Sequence, residues 1–402
     1  MATKSKPSVG AAVSSAAIVS PRKFFTKQHE TALLPNLIEI QLNSYKWFFE
    51  KGLKELLSEI NPIKDFTGKN LELTFGDYFF DKPKYDENTS RERNTTYEAP
   101  LYVSAKLVNK VTGKTKTQDV YFGDFPLMTN RGTFVINGVE RVVVSQLIKS
   151  PGVFYTSEFS RGKNVYGAKI VPNRGAWLEL DTDNSNVIGV KIDRKRRIPI
   201  TALLRVFGLS TNDEIMAAFK DVDTNPEVRY IASTLEKDSS TNSDEGFKEV
   251  YKRIRPGDLA TVDNARSLIT AMFFNFERYD LSEVGRYKFN QRSNYNHDTD
   301  SRILTQEDML AVVKEIIRLN NEQAPADDID HLANRRVRAV GELIQTRYRV
   351  GLARMSRIAK DRMSLADLDT VTPAQLIHVR PIVAAMQEFF SSSQLSQFMD
   401  QT

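Results

Sequence analysis

The chain has 402 residues, more than one compact core usually holds, so roughly two or three domains are expected. Its 41% hydrophobic and 27% charged residues are those of an ordinary globular protein. No apolar run approaches the roughly 18 to 20 residues that cross a bilayer, and the lack of cysteine excludes disulfides, thiol nucleophiles and cysteine-bearing metal sites.

Residues 1–24 are rich in Ala, Ser and Val. They read as a disordered arm, with a processed targeting segment as the alternative because Lys4 and Lys6 precede the small residues. Arg22, Lys23 and Lys27 then lead into an amphipathic helix from Pro35 to Glu59, broken near Gly52 and stopped by Asn61-Pro62, since proline cannot continue helical hydrogen bonding. Beyond it the apolar period shortens to two: Leu71, Leu73 and Phe75 alternate, as do Leu101, Val103 and Ala105, which predicts strands. Between Thr133 and Val144, Asn137-Gly138 separates two β-branched runs. That pair predicts a two-residue type I′ hairpin, because both central residues must take positive φ.

Further strands are predicted over 165–170, 177–180 and 187–192, and helices over 198–207, 212–220 and 265–274. The polar stretch Ser239 to Glu245 reads as an exposed loop, and Ala324-Pro325-Ala326 as a linker. Val340, Leu343, Ile344, Tyr348, Leu352, Met355 and Ile358 recur on one face of a long helix. The fold class is α+β, multi-domain, with mixed strands and helices.

The net charge of +5 is too small to argue for nucleic acid, so its distribution matters more. From His331 to Arg362 nine Lys or Arg face two acids, an excess of +7, and Lys191 to Arg197 carries an excess of +4. These are candidate phosphate-facing surfaces. Trp177 follows Pro172-Asn173-Arg174-Gly175 and lies near the second cluster; it is either a stacking platform for an unpaired base or a core residue. Asp327, Asp328 and Asp330 are either metal-holding carboxylates or a turn that caps the following basic helix. His29, His297, His331 and His378 are scattered, and neither a phosphate-cradling glycine loop nor a catalytic triad is present.

Four stretches together resemble the β-subunit family of bacterial RNA polymerase. They are Gly132 to Leu147 with Ser150-Pro151-Gly152-Val153-Phe154; Arg174-Gly175-Ala176-Trp177-Leu178; Asp327 to Arg338; and Phe389 to Gln401. The resemblance implies a protrusion domain made of residues 25–148 and 337–390, a lobe domain inserted at 149–336, and the start of a rifamycin-binding region at 391–402. It implies a pocket for the non-template DNA strand built from Lys149, Trp177, Asp193, Ile329, Asp330 and Arg335, in which Trp177 stacks on an unpaired base while Asp330 and Arg335 bond a flipped guanine. Lys149 stands where the family more usually has arginine, which puts a bidentate contact there in doubt. Gln146, Gln394, Leu395, Ser396, Gln397, Phe398 and Asp400 are the implied residues of the rifamycin and RNA path.

The family's partners are template and non-template DNA, nascent RNA, and the α, β′, ω and σ subunits, in the cytoplasm and away from membranes. Its catalytic magnesium belongs to β′, so neither a cofactor nor a catalytic residue is expected in this chain, which alone is expected to be inactive. Thr402 stands where the family usually has Asn, and the chain stops within a motif, which reads as a fragment of a longer subunit. The rival reading is a non-enzymatic docking module whose basic helix packs against protein partners.

Overall fold

The computed structural model describes residues 36–160, 162–226, 228–293, 297–368 and 370–399, so the expected arm over 1–24, the basic residues Arg22, Lys23 and Lys27, His29 and Asp400 lie outside it. The chain is α+β and divides into two compact units, Met1–Gln146 with Val337–Thr402, and Leu147–Arg336.

The first unit opens with α1 (Glu39–Trp47) and α2 (Leu53–Ile60), joined by a π-helical turn over Phe48–Gly52 that forms the break expected near Gly52. Leu53, Leu56 and Leu57 are buried on one face of α2, and the chain turns extended at Asn61 ahead of Pro62. An antiparallel sheet follows, in the order β1 (Ile63–Lys64), β2 (Leu71–Phe80), β3 (Glu98–Asn109) and β4 (Thr115–Pro126), with α3 (Glu87–Glu92) between β2 and β3. The alternation does what a two-residue period requires: Leu71, Leu73, Leu101, Val103 and Ala105 face the core and their neighbours face outward. β5 (Phe134–Ile136) and β6 (Val139–Val143) form the expected hairpin, with Asn137 at φ 50° and Gly138 at φ 80°. A Cβ on Gly138 would lie 2.6 Å from Asn94 Cα, so the turn residue is fixed by both its backbone conformation and its surroundings.

β7 (Gln146–Lys149) leads into the second unit, where β8 (Gly152–Ser160), β9 (Lys163–Val171), β10 (Leu178–Thr182), β11 (Ile188–Ile192) and β12 (Ile198–Pro199) form an antiparallel meander. Seven helices follow among the described residues: α4 (Ile200–Val206), α5 (Asn212–Phe219), α6 (Tyr230–Lys237), α7 (Ser243–Ile254), α8 (Val262–Phe273), α9 (Ser282–Ser293) and α10 (Gln306–Glu322). Tyr155, Ile170, Leu178, Val190, Leu203, Ile269 and Ile316 belong to the single apolar core that the sheet shares with these helices.

The Ser239 to Glu245 loop is only half a loop. Asn242 accepts a bond from the Glu245 N–H at 3.0 Å and starts α7, so the polarity of the second half reflects a capped helix start rather than an exposed loop. Two arginines among the described residues of this unit are wholly buried. Arg286 meets Asp308 at 2.7 Å and donates to the Ser301 and Ile303 carbonyls, while Arg205 donates to the Ser210 and Thr241 carbonyls and to Asn212.

The chain returns through β13 (Arg335–Arg338) and rejoins the first unit as α11 (Val340–Leu365), α12 (Pro373–Leu376), α13 (Arg380–Ser392) and β14 (Ser396–Phe398). The predicted apolar face of α11 is buried at Val340, Leu343, Ile344, Tyr348, Leu352 and Met355. The capping role considered for the acidic turn is not what the structure shows. A 3-10 turn over Leu332–Asn334 and then β13 separate the aspartates from α11, whose first residue follows Ala339 without a side-chain cap. The carboxylates have other work: Asp327 accepts from the Tyr155 N–H at 2.9 Å and pairs with Arg292 at 2.9 Å, and Asp328 accepts from the Asp330 N–H at 3.0 Å.

Candidate nucleic-acid interface

Trp177 sits in the second unit, in the short link between β9 and β10, and is half-buried rather than part of the core. Its backbone is clamped on both sides. The Trp177 N–H donates to Asp193 Oδ1 at 2.8 Å, and the Asp193 N–H donates to the Trp177 carbonyl at 2.9 Å. Asp193 and Arg194 both take positive φ, at 47° and 59°, which turns the chain sharply after β11 and aims the Asp193 carboxylate at that amide. Asp193 therefore positions the indole, a role its charge pattern in the sequence did not suggest.

Upstream, Arg174 exchanges two backbone bonds with Asp280, at 3.0 and 2.8 Å, and Gly175 takes φ 123° with Tyr279 packed against it. A Cβ at Gly175 would approach the Tyr279 ring to 2.7 Å, so only glycine fits between these anchors. The loop that carries Trp177 is thus fixed at both ends.

The other named positions lie on the acidic turn and the strand after it. The Asn334 side chain donates to the Asp328 carbonyl at 2.7 Å, closing a turn with Ile329 half-buried and Asp330 exposed at its tip. The Ser150 N–H donates to the Asn334 carbonyl at 2.9 Å, which brings Lys149 and Arg335 to neighbouring places, and Lys288 Nζ donates to the Ala333 carbonyl at 2.7 Å. One residue on, Arg336 donates to Asn173 Oδ1 at 3.1 Å and so ties this strand to the Trp177 loop. Among the described residues neither the Asp330 carboxylate nor the Arg335 guanidinium has an intramolecular partner, and Arg335 Nε is enclosed without one. Asn173, Gly175 and Asp280 were not singled out from the sequence as parts of this arrangement, though the Pro172-Asn173-Arg174-Gly175 turn signal preceded them.

The basic clusters are thinner than their sequence suggests. Between Lys191 and Arg197, Arg197 is engaged by Asp181, by Asp183 at 3.2 Å and by the Val187 carbonyl at 2.8 Å, and Lys191 pairs with Asp181 at 2.9 Å. Arg194, Lys195 and Arg196 stay exposed on the turn beside Asp193. Between His331 and Arg362, Arg349 pairs with Glu59 at 2.8 Å and Arg362 donates to the Gln375 carbonyl at 2.8 Å, which leaves Arg347, Arg354 and Arg357 exposed along α11.

The remaining named residues fall in the first unit. β14 adds to the hairpin as a third strand, pairing Ser396 with Val143, Gln397 with Val142 and Phe398 with Arg141. Ser396 is buried and its hydroxyl donates to the Phe390 carbonyl at 2.7 Å. Leu395 packs on the core, whereas Gln394, Gln397 and Phe398 are exposed and Gln146 is half-buried. The Arg141 guanidinium lies 4.4 Å from the Phe398 ring centre and donates to the Phe390 and Ser391 carbonyls, holding the end of α13 against the hairpin.

Residues 149–338 match the family model of RNA polymerase Rpb2, domain 2. Over 95% of its length the chain is 49% identical to the DNA-directed RNA polymerase subunit beta of Chloroflexus aggregans and 50% identical to that of Syntrophomonas wolfei, covering 34% of each. Along this aligned length the chain is similar to the β subunits of DNA-directed RNA polymerase. The β subunit of Dehalococcoides mccartyi is 48% identical over 95% of the chain and 30% of its own length, so the chain spans about a third of the curated relatives it matches. In this family's terms, the matched stretch holds all six of the second-unit positions named above, from Lys149 to Arg335. No helix among the described residues is long and apolar enough to cross a membrane, and no cluster of metal-binding side chains occurs among them.

Proposed function

We propose that this chain handles DNA strands for a multi-subunit, DNA-dependent RNA polymerase in the bacterial cytoplasm, with nucleotidyl transfer and its magnesium ions supplied by a β′ partner. In this reading the second unit is the lobe and the first the protrusion, and the unit from Leu147 to Arg336 receives the non-template strand. The observation that carries it is the half-exposed Trp177, its backbone held by Asp193, in a unit whose Arg335 guanidinium has no carboxylate partner among the described residues.

The division of labour follows from chemistry. Trp177 offers an aromatic face on which any unpaired base stacks, worth about 1 to 3 kcal/mol by truncation. Asp193 keeps that face in place without touching the base. Asp330 accepts from the N–H groups on a guanine's Watson–Crick edge while Arg335 bonds the same base, and Lys149 and Arg335 supply positive charge beside the strand's phosphates. Gln146, Gln394, Leu395, Ser396, Gln397, Phe398 and Asp400 belong in this reading to the wall of the RNA path and its rifamycin pocket. The α, ω and σ subunits are further partners of the complete assembly.

Titration of the chain with a DNA bubble at low and at physiological salt tests the proposal. Binding that weakens steeply as salt rises, and weakens further in the Trp177→Ala chain, is the expected result. Salt-independent binding, or a bubble affinity that is no higher than that for fully paired DNA and is unchanged in the Trp177→Ala chain, overturns it.

A further inference from the structure

The outer face of the four-stranded sheet in the first unit carries a pattern that strand handling does not use. The strand registers sort its side chains into rows. Phe79, Tyr102 and Tyr121 form one row across β2, β3 and β4. Their rings form a ladder: Phe79 stacks on Tyr102 with centres 5.3 Å apart and planes 12° apart, and Tyr102 meets Tyr121 at 5.8 Å. Phe79 and Tyr121 remain 41% and 40% exposed, although aromatic side chains at such positions gain by being covered.

Carboxylates stand on both sides of this ladder. On one side Asp119 is paired across from Ser104, with Asp77 at the β2 bulge opposite the same stretch. On the other, Pro100 is paired with Asp124 and its carbonyl accepts from the Asp81 N–H at 3.0 Å; Glu98 follows one row further. None of these rows contains Lys or Arg; Lys106 stands in the row beyond Ser104, opposite Thr117, and Lys82 follows Asp81 past the end of β2. The crowding of negative charge is felt locally: burial and Asp124 push Glu98 up to about 7, and burial with the Asp124 and Glu98 carboxylates pushes Tyr121 up to about 12.

We propose that this face docks an arginine-bearing, extended polypeptide segment of a protein partner. Arginine is the side chain that answers both features at once, because its planar guanidinium stacks on aromatic rings and bonds carboxylates through its edge. The aspartates bracket the rings at about one two-residue step along the strands, so alternate side chains of an extended segment meet first a ring and then a carboxylate. The same acids repel nucleic-acid phosphates, which separates this surface from the strand-handling unit. The inference does not depend on the function proposed above.

Fluorescence anisotropy with the full chain and a labelled peptide of alternating arginine and threonine tests the idea, with an otherwise identical glutamate-threonine peptide as control. The arginine peptide should bind and the glutamate peptide should not. F79S/Y102S should weaken binding about tenfold or more, and D119N/D124N should weaken it and flatten its salt dependence. Unchanged circular dichroism and melting temperature establish that each variant is folded, and the charge variant leaves the aromatic ladder in place. No binding of the arginine peptide, equal binding of both peptides, or affinity that neither folded variant changes overturns the proposal.

Discussion

Each unit carries a surface of unmatched charge, cationic around Trp177 in the second and acidic on the outer sheet face of the first. In the second, arginines inside the fold are matched almost to excess, as with Arg286 and Asp308, while among the described residues Arg335 and the exposed Arg194 to Arg196 turn form no ion pair. In the first, Asp77, Asp81, Asp119 and Asp124 are exposed around an aromatic row that has no cation within it. A net charge of +5 conceals both surfaces. Partner choice is set by charge left unneutralised after folding, and folding neutralises much of what a sequence count includes.

That contrast can be broken most severely at a matched cation. Asp308→Ala strands Arg286 in the interior of the second unit and should cost about 3 to 5 kcal/mol. Urea denaturation would read this as early unfolding of that unit; a stability change below about 1 kcal/mol would mean the pair is not enclosed as described. Gly175→Ala is next. It forces a Cβ against Tyr279 at positive φ and should destabilise by about 1 to 3 kcal/mol, loosening the Trp177 loop so that bubble affinity falls together with melting temperature.

Arg335→Ala sharpens the comparison from the functional side. With no carboxylate partner to strand, the chain should keep its stability, while the slope of log affinity against log salt for bubble DNA drops by about one. An unchanged slope would remove Arg335 from the phosphate-facing set.

The smallest effect belongs to the first unit and depends on pH. Glu98 is held up to about 7 by burial and by Asp124, so the folded chain keeps this proton at pH values where the unfolded chain has lost it. Folded stability therefore falls as pH rises from about 4.5 towards 7 and is flat above that. Because Glu98 is partly exposed, solvent screening holds the effect to at most about 1 kcal/mol. Glu98→Gln should remove this slope in melting temperature against pH and stabilise the chain slightly above pH 7; a slope equal to that of the unmutated chain would refute the assignment.

Local chemistry was legible wherever neighbouring residues decide it. Asn137-Gly138 specified a turn because few residue types tolerate successive positive φ, and the alternation of Leu71, Leu73 and Phe75 specified which side of a strand is buried. The break at Gly52 and the stop at Pro62 were visible for the same reason. Ser239 to Glu245 misled because a capped helix start and a loop share their polar residues, and the acidic turn misled because adjacency in sequence to a helix is not adjacency to its first N–H groups.

By itself the sequence determined the elements, the class of the fold and the family, since these rest on short-range periodicity and on long ordered motifs. Only the tertiary structure decided which charges survive folding. Arg197 and Arg349 counted as candidate phosphate ligands until Asp181, Asp183 and Glu59 came within reach, and Asp193 became the support of Trp177 only when a sharp turn carried its carboxylate back to that amide. Such pairings join residues that composition treats as independent, and a charged group's availability depends on the nearest opposite charge in space, not along the chain.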